Sequence, residues 1–289
     1  MLSGLLLAYY WKGYGKNHRF KMRFIYKLSL NLPNIVHLHY EMRFLYIIYQ
    51  IFIGWPLVAV VTALTSIVVI IGSIFGSAHF WGYYPYKICG ILTLKILLIP
   101  VRIEGREHID KHKSYVFVAN HQGGMDIFLV YGHIGRNFKW MMKKSLRKIP
   151  LVGFACEKAH HIFVDKSGPK AIKKTYDDAR STLQGGTSLV VFPEGARTFT
   201  GRMGLFRKGA FSLAQEIGLP IVPVTIDGSF DLLPRQRGMV GILKWHRLRL
   251  IIHPAISSED IKVAMDSSYK TIMSDLPEHH QGYEKNDDQ

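Results

Sequence analysis

The chain has 289 residues, 48% of them hydrophobic, and a formal net charge of +16. This length and apolar content support one sizeable core plus a membrane-seeking segment, and exclude a disordered chain. The two cysteines, Cys89 and Cys156, are too few for a disulfide framework or a zinc site. The basic excess asks for an anionic partner, and with no nucleic-acid motif present an anionic phospholipid surface explains it better.

Residues 1–41 read as a basic N-terminal extension. Lys12, Lys16, Arg19, Lys21, Arg23 and Lys27 are scattered among aromatics without an apolar period. The charged start, apolar middle and cleavage site of a secretory signal are missing. The stretch is either a basic arm on anionic lipid or sequence upstream of a true start at Met42.

Residues 42–100 read as a membrane anchor followed by an interfacial helix. Phe44 to Ala78 contains no charged side chain, and about 20 apolar residues suffice for a transmembrane helix. The most apolar part is Pro56 to Phe75. Basic residues flank both ends, which draws both to the cytoplasmic side. That favours a re-entrant or interfacial anchor, broken at Pro56 or in the Gly72–Ser77 run, over a simple span. Gly72 and Gly76 form a Gly-x-x-x-Gly pattern that suits helix pairing. Trp81, Tyr83, Tyr84 and Tyr86 suit the headgroup region. Lys87 to Pro100 reads as an amphipathic surface helix, or as a core helix of the next domain.

From residue 101 to 276, apolar runs alternate with helical patterns. Strands are expected at Val101–Glu104, Tyr115–Asn120, Phe138–Met142, His161–Asp165, Ser188–Phe192, Ile221–Ile226 and Leu248–His253. Helices are expected at Ile127–His133, Pro169–Leu183, Lys208–Ile217 and Glu259–Ser274. Gly218 suits a helix stop, and Ser257 to Asp260 resembles a capping box. This alternation argues for an α/β domain, a mostly parallel sheet flanked by helices. The tail, 277–289, is expected to be disordered.

Two blocks carry candidate chemistry. Asn120-His121-Gln122-Gly123-Gly124-Met125-Asp126 follows an apolar strand. His121 can take a proton near pH 7, and a carboxylate at Asp126 would fix its tautomer. The bland alternative is a loop histidine beside a helix-capping aspartate. Phe192-Pro193-Glu194-Gly195-Ala196-Arg197 follows another apolar strand. Arg197 offers a planar fork for phosphate oxygens. Glu194 can accept from a hydroxyl or orient the arginine, against the plainer reading of a surface ion pair. No nucleophile elbow, Walker loop or dinucleotide fingerprint occurs. The His160-His161 pair lacks partners at ligand spacing, and His161 reads as the start of a strand.

Two further blocks complete a set. His161-Ile162-Phe163-Val164-Asp165-Lys166 is a short apolar strand ending in Asp-Lys. Leu219-Pro220-Ile221-Val222-Pro223-Val224 is an apolar strand punctuated by proline. Lys143-Lys144-Ser145-Leu146 and Phe206-Arg207-Lys208-Gly209 are lesser matches. In this order the blocks resemble those of the glycerolipid acyltransferases, of the 1-acyl-sn-glycerol-3-phosphate (lysophosphatidic acid) acyltransferase type. Lys166 stands where that family usually has arginine, and Ala196 where it usually has threonine. The likeness runs from about Val101 to Pro234.

The resemblance implies His121 as general base and Asp126 as its orienter. It implies a glycerol phosphate pocket of Glu194, Gly195, Arg197 and Lys166, and an oxyanion donor at Lys143 or a nearby amide. Pro223 is implied in the acyl pocket, with plain core an equal reading. Acyl-CoA or an acidic acyl carrier protein would be the donor, lysophosphatidic acid the acceptor and membrane phospholipid the setting. No cofactor, metal or nucleic acid is implied. The catalytic domain would lie on the cytoplasmic face of the cell membrane. Alternatives are glycerol 3-phosphate or another lysolipid as acceptor, or a non-catalytic membrane lipid-binding protein.

Overall fold

A computed structural model describes residues 41–282, apart from Lys111, Lys166, Gln184, Gly185 and Met239. The basic extension therefore lies outside the described residues, apart from Glu41. The chain divides between Tyr49 and Gln50. Residues 41–49 are helical.

Seven strands form one sheet: β1 (Val101–Glu104), β2 (Val116–Ala119), β3 (Phe138–Lys143), β4 (Ile162–Val164), β5 (Ser188–Val191), β6 (Ile221–Asp227) and β7 (Leu248–Ile252). Their order is β1-β7-β6-β2-β5-β3-β4. Only β6 and β7 pair antiparallel; every other neighbour is parallel. The sheet falls where the apolar runs place it, within about two residues at each end. β2, β5 and β6 are buried along their whole length. Burial on both faces is why they read as continuous apolar runs and not as alternation.

The helices from Trp55 onwards are α1 (Trp55–Phe75), α2 (Ala78–Trp81), α3 (Tyr84–Ile96), α4 (Asp126–His133), α5 (Val152–Lys158), α6 (Pro169–Thr182), α7 (Gly209–Ile217), α8 (Ser229–Leu232) and α9 (Ile261–Ser274). On one face of the sheet, Phe211, Leu213, Ala264 and Ile272 pack with Val116, Val118, Leu189 and Ile221 in one core cluster. α9 is capped by Asp260, whose side chain accepts from the amides of Lys262 and Val263. The N-cap is thus Asp260 and not Ser257, whose hydroxyl accepts from Glu259 N instead.

α3 packs against α4, and the contact is tight. A Cβ on Gly90 would lie 2.5 Å from the Phe128 carbonyl oxygen. Tyr86, Cys89, Gly90, Thr93 and Leu94 are buried. The interfacial reading of Lys87–Pro100 gives way to the core-helix alternative, although Ile88 and Leu92 stay exposed.

A helix over Glu41–Phe75, with a mean hydropathy of 2.6 in its most apolar window, is long and apolar enough to cross a membrane. Pro56 does not break it, because a π-helical turn at Gln50–Gly54 comes just before and Pro56 occupies the first turn of α1. The chain does break after Phe75, and α1 then packs against α3 and α5. Val58, Ser66 and Val69 make a buried stripe on α1, while Leu57, Val60, Leu64, Val68, Ile71 and Phe75 are exposed. The Gly72–Gly76 pair serves a tryptophan. Cβ atoms there would meet the Trp81 ring at 2.4 and 2.8 Å, so the two glycines seat its indole.

Lys139 is a buried lysine between layers. Its Nζ donates to the carbonyls of Ala78 and Ala159, a match for the two N–H bonds of a neutral amine. Burial lowers its pKa from 10.5 to about 8. The unfolded chain therefore binds more protons than the folded one between about pH 8 and 10.5, so stability rises with pH in that window. We expect the urea midpoint of wild type to climb from pH 8 to pH 10 relative to Lys139→Met. Parallel pH profiles of the two proteins would refute this.

Candidate active site

The site is built at the carboxyl ends of β2 and β5, which are neighbours in the sheet. Asn120 ends β2 and locks it to β6 with two hydrogen bonds, Nδ2 to Ile226 O at 2.8 Å and Ile226 N to Oδ1 at 2.7 Å. The chain then turns through Gly123. A Cβ there would lie 2.3 Å from Ser229 Oγ and 2.6 Å from Ser229 O, so only glycine lets the loop pass α8. Gly123→Ala should cost about 1–3 kcal/mol of stability as an overpacked position and lower activity with it. Denaturant melts and rate assays of this variant check both.

Asp126 opens α4 and turns its side chain back over the loop. Its Oδ2 lies 2.7 Å from His121 Nδ1 and accepts from the amides of Gln122 and Gly123 at 2.8 and 2.9 Å. The carboxyl group is fully buried. An acceptor at that distance holds the proton on Nδ1 and leaves Nε2 with its lone pair. The imidazole stacks on Phe192, with ring centroids 3.9 Å apart and 5° between planes. Trp140 stacks on the same phenyl ring at 5.2 Å. His121 is thus held by an ion-pairing partner on its edge and an aromatic on its face, with its side chain 15% exposed.

Glu194 occupies a different place from that expected. It is buried, with Oε1 accepting from His121 N at 2.7 Å and Oε2 from Gly204 N at 2.8 Å. The carboxylate ties the loop after β2 to the loop after β5 and braces the latter on itself, with both oxygens accepting from backbone. Gly195 takes φ +78°, a left-handed turn, and Arg207 lies close against it. Thr198 N donates to His121 O at 3.0 Å, closing the second loop onto the first.

Arg197 donates from Nη1 to Gly238 O at 2.8 Å, and its own carbonyl accepts from Arg235 Nη1 at 2.8 Å. Arg235 lies over the Phe199 ring, 3.8 Å from its centroid. Burial pulls the Arg197 pKa down while the Asp126 carboxylate pushes it up, so the guanidinium and the His121–Asp126 pair share one electrostatic neighbourhood. Arg207 and Arg235 add positive charge that the reading of two short blocks missed. The signal available was the basic Phe206-Arg207-Lys208 match, which sequence reasoning treated as lesser.

The remaining assignments fare differently. Lys143 ends β3 and is exposed. No hydrogen bond joins it to the His121–Asp126 pair among the described residues. Pro223 is buried inside β6, between β2 and β7, and its carbonyl accepts from His253 N; the core reading describes it. Lys166 lies outside the described residues. His161 precedes β4 as expected. Its Nδ1 accepts from Trp140 N at 3.1 Å, so Nε2 carries the proton towards Tyr131 Oη at 2.7 Å. Burial, with Lys139 nearby, holds it neutral.

The His121–Asp126 pair and the Arg197 loop thus meet at the carboxyl ends of adjacent parallel strands. Residues 100–227 match the family model described as Acyltransferase. A 1-acyl-sn-glycerol-3-phosphate acyltransferase of Chlamydomonas reinhardtii is 31% identical over 179 residues, covering 61% of this chain and 53% of the relative. The enzyme of that name from Saccharomyces cerevisiae is 32% identical over 155 residues, covering 52% and 51%. The chain spans about half the length of the curated relatives it matches. The crystal structure of PlsC, the 1-acyl-sn-glycerophosphate acyltransferase of Thermotoga maritima, shares the fold. It has a TM-score of 0.65 at 23% identity, over 81% of this chain and 95% of that one.

Proposed function

We propose that this protein transfers a fatty acyl group from acyl-CoA or acyl carrier protein to the sn-2 hydroxyl of 1-acyl-glycerol 3-phosphate. The product is phosphatidic acid, a step of phospholipid biosynthesis. The observation that carries this reading is the His121 Nδ1–Asp126 contact of 2.7 Å, which in the neutral imidazole places the proton on Nδ1 and leaves Nε2 as the acceptor. Nε2 takes the proton of the acceptor hydroxyl as its oxygen attacks the thioester carbonyl. The tetrahedral intermediate collapses, and the departing thiolate takes that proton back from Nε2. Asp126 stabilises the imidazolium between the two steps. No covalent acyl-enzyme is needed.

Arg197, with Arg207 and Arg235 around it, supplies charge for the phosphate of the acceptor. Glu194 acts here as a positioning residue, holding the His121 amide and the Gly204 turn. The exposed apolar face of α1 and the net basic charge suit a catalytic domain held at the cytoplasmic face of the cell membrane. The names of the relatives, 1-acyl-sn-glycerol-3-phosphate acyltransferases, support lysophosphatidic acid as acceptor.

The test is transfer from labelled acyl-CoA, and separately from acyl carrier protein, by the purified full chain. Lysophosphatidic acid and glycerol 3-phosphate are offered as acceptors. Phosphatidic acid formed only from lysophosphatidic acid supports the assignment; product from glycerol 3-phosphate alone overturns it. Arg197→Ala should raise KM for the acceptor at least about 10-fold, the scale of a lost charge-assisted hydrogen bond, with a smaller change in kcat. Unchanged acceptor saturation would remove Arg197 from the phosphate pocket.

A further inference from the structure

We infer that Asp231, His246, His279 and His280 form a binding site for one divalent transition-metal ion of the zinc type, clamping the C-terminal segment onto the catalytic domain. The segment from Pro277, expected to be disordered, instead forms a 3-10 turn at Glu278–His280. His280 is 2% exposed. Its ring lies edge-on to Phe230 at 5.6 Å, and a Cβ on Gly201 would meet it at 2.7 Å.

The imidazole of His280 makes no hydrogen bond that explains this burial. Nδ1 has no partner, and Nε2 stands 3.9 Å from Asp231 Oδ1, beyond hydrogen-bond reach. A neutral imidazole has one donor and one acceptor to satisfy, and buried polar atoms without partners are rare. Its neighbours are themselves metal ligands by type. Asp231, His279 and His280 each offer a ligand atom, all within 4.8 Å of one another. His246 Nε2 lies 3.9 Å from Asp231 Oδ2, on the other carboxylate oxygen.

Two imidazoles and one carboxylate make the compact group, and His246, on the far oxygen of Asp231, can complete the four-coordinate set that zinc prefers. Bonds of about 2.0–2.1 Å in a tetrahedron put neighbouring ligand atoms about 3.3 Å apart. The separations of 3.9 Å, and of up to 4.8 Å within the group, therefore have to close on binding, by rotation of the exposed His279 and the half-exposed His246 and Asp231 side chains. The last two are 47% and 35% exposed, which leaves an entry path for the ion. Gly201 O accepts from Gln122 Nε2 at 3.2 Å, so the clamp backs directly onto the residue after His121. The site stands on its own geometry and not on the acyl-transfer reading.

The test uses the untagged full chain in detergent, titrated with Co²⁺ and, separately, with Zn²⁺. His279→Gln and Asp231→Asn alter exposed and half-exposed positions, and His280 is kept for its packing. We expect one equivalent of Co²⁺ with the ligand-field spectrum of tetrahedral cobalt, and a Zn²⁺-dependent rise in Tm that a chelator reverses. Each substitution should weaken binding at least about 10-fold and abolish the rise. Absence of the tetrahedral spectrum in wild type, or equal binding by wild type and both variants, overturns the assignment.

Discussion

Replacing His121 by alanine is expected to lower kcat for acyl transfer by about 10²–10⁴-fold, the usual worth of a positioned general base, while leaving the fold intact. The side chain is partly exposed and makes its main polar contact with Asp126, so its loss removes chemistry and little packing. The contact with Phe192 is lost as well, and it contributes orientation. The hydrogen bonds of the His121 backbone to Glu194 and Thr198 do not depend on the side chain, so the loop should hold. Matching circular dichroism and melting curves would confirm an intact protein. A variant retaining more than a tenth of wild-type kcat would take the proton-transfer role away from this imidazole.

The second large effect is expected of Asp126→Asn. One oxygen of Asp126 accepts from His121 Nδ1 and from two backbone amides. An amide in its place presents either its oxygen or its NH₂ at that point. With the oxygen there, the loop survives but the charge that stabilises the imidazolium is gone. With the NH₂ there, donors face donors and Nδ1 becomes the acceptor, so the proton moves to Nε2 and blocks the base. Either arrangement lowers kcat, by up to about 10⁴-fold where the tautomer is reversed. Stability should fall as well, by about 1–3 kcal/mol for buried groups left unpaired. This distinguishes it from His121→Ala, which should melt near the wild-type temperature. Activity assays and urea melts of both variants, run together, read out the contrast.

The sheet was legible because its central strands, β2, β5 and β6, are fully buried. Val116 to Ala119 and Ser188 to Val191 contain no polar interruption beyond Ser188, and proline or asparagine marks their ends. The His121–Asp126 pair was legible for a local reason. Five residues and a glycine turn bring the two groups together without help from distant chain. Glu194 was placed in the right loop with the wrong partners. Its bond to the His121 amide arises from the adjacency of β2 and β5, which no local pattern encodes, and its bond to the Gly204 amide from the fold of an irregular loop. Gly72 and Gly76 carried a true signal of close approach, and the approaching group is the Trp81 ring at the end of the short helix α2. α5 was missed because Val152 to Lys158 is too short for a helical period to show. The docked His280 was hidden by composition, since a polar, charged ending reads as solvated until its partners at Phe230 and Asp231 are known.

Lys143 and Pro223 were carried by resemblance alone, and neither is brought to the histidine. Transfer by motif works for residues held by their own loop, as His121 and Asp126 are. It works less well for residues such as Lys143, whose reach depends on a long side chain at an exposed strand end.

The claim on which the rest depends is that His121 and Asp126 act as one proton-transfer unit. A double-mutant cycle in kcat, with purified wild type, His121→Ala, Asp126→Asn and the combined variant, measures this directly. Residues acting as a unit are strongly non-additive. The combined variant should be no slower than His121→Ala alone, because without the imidazole the carboxylate has nothing to orient. Losses that multiply, with the combined variant slower by the product of the two single effects, would contradict it.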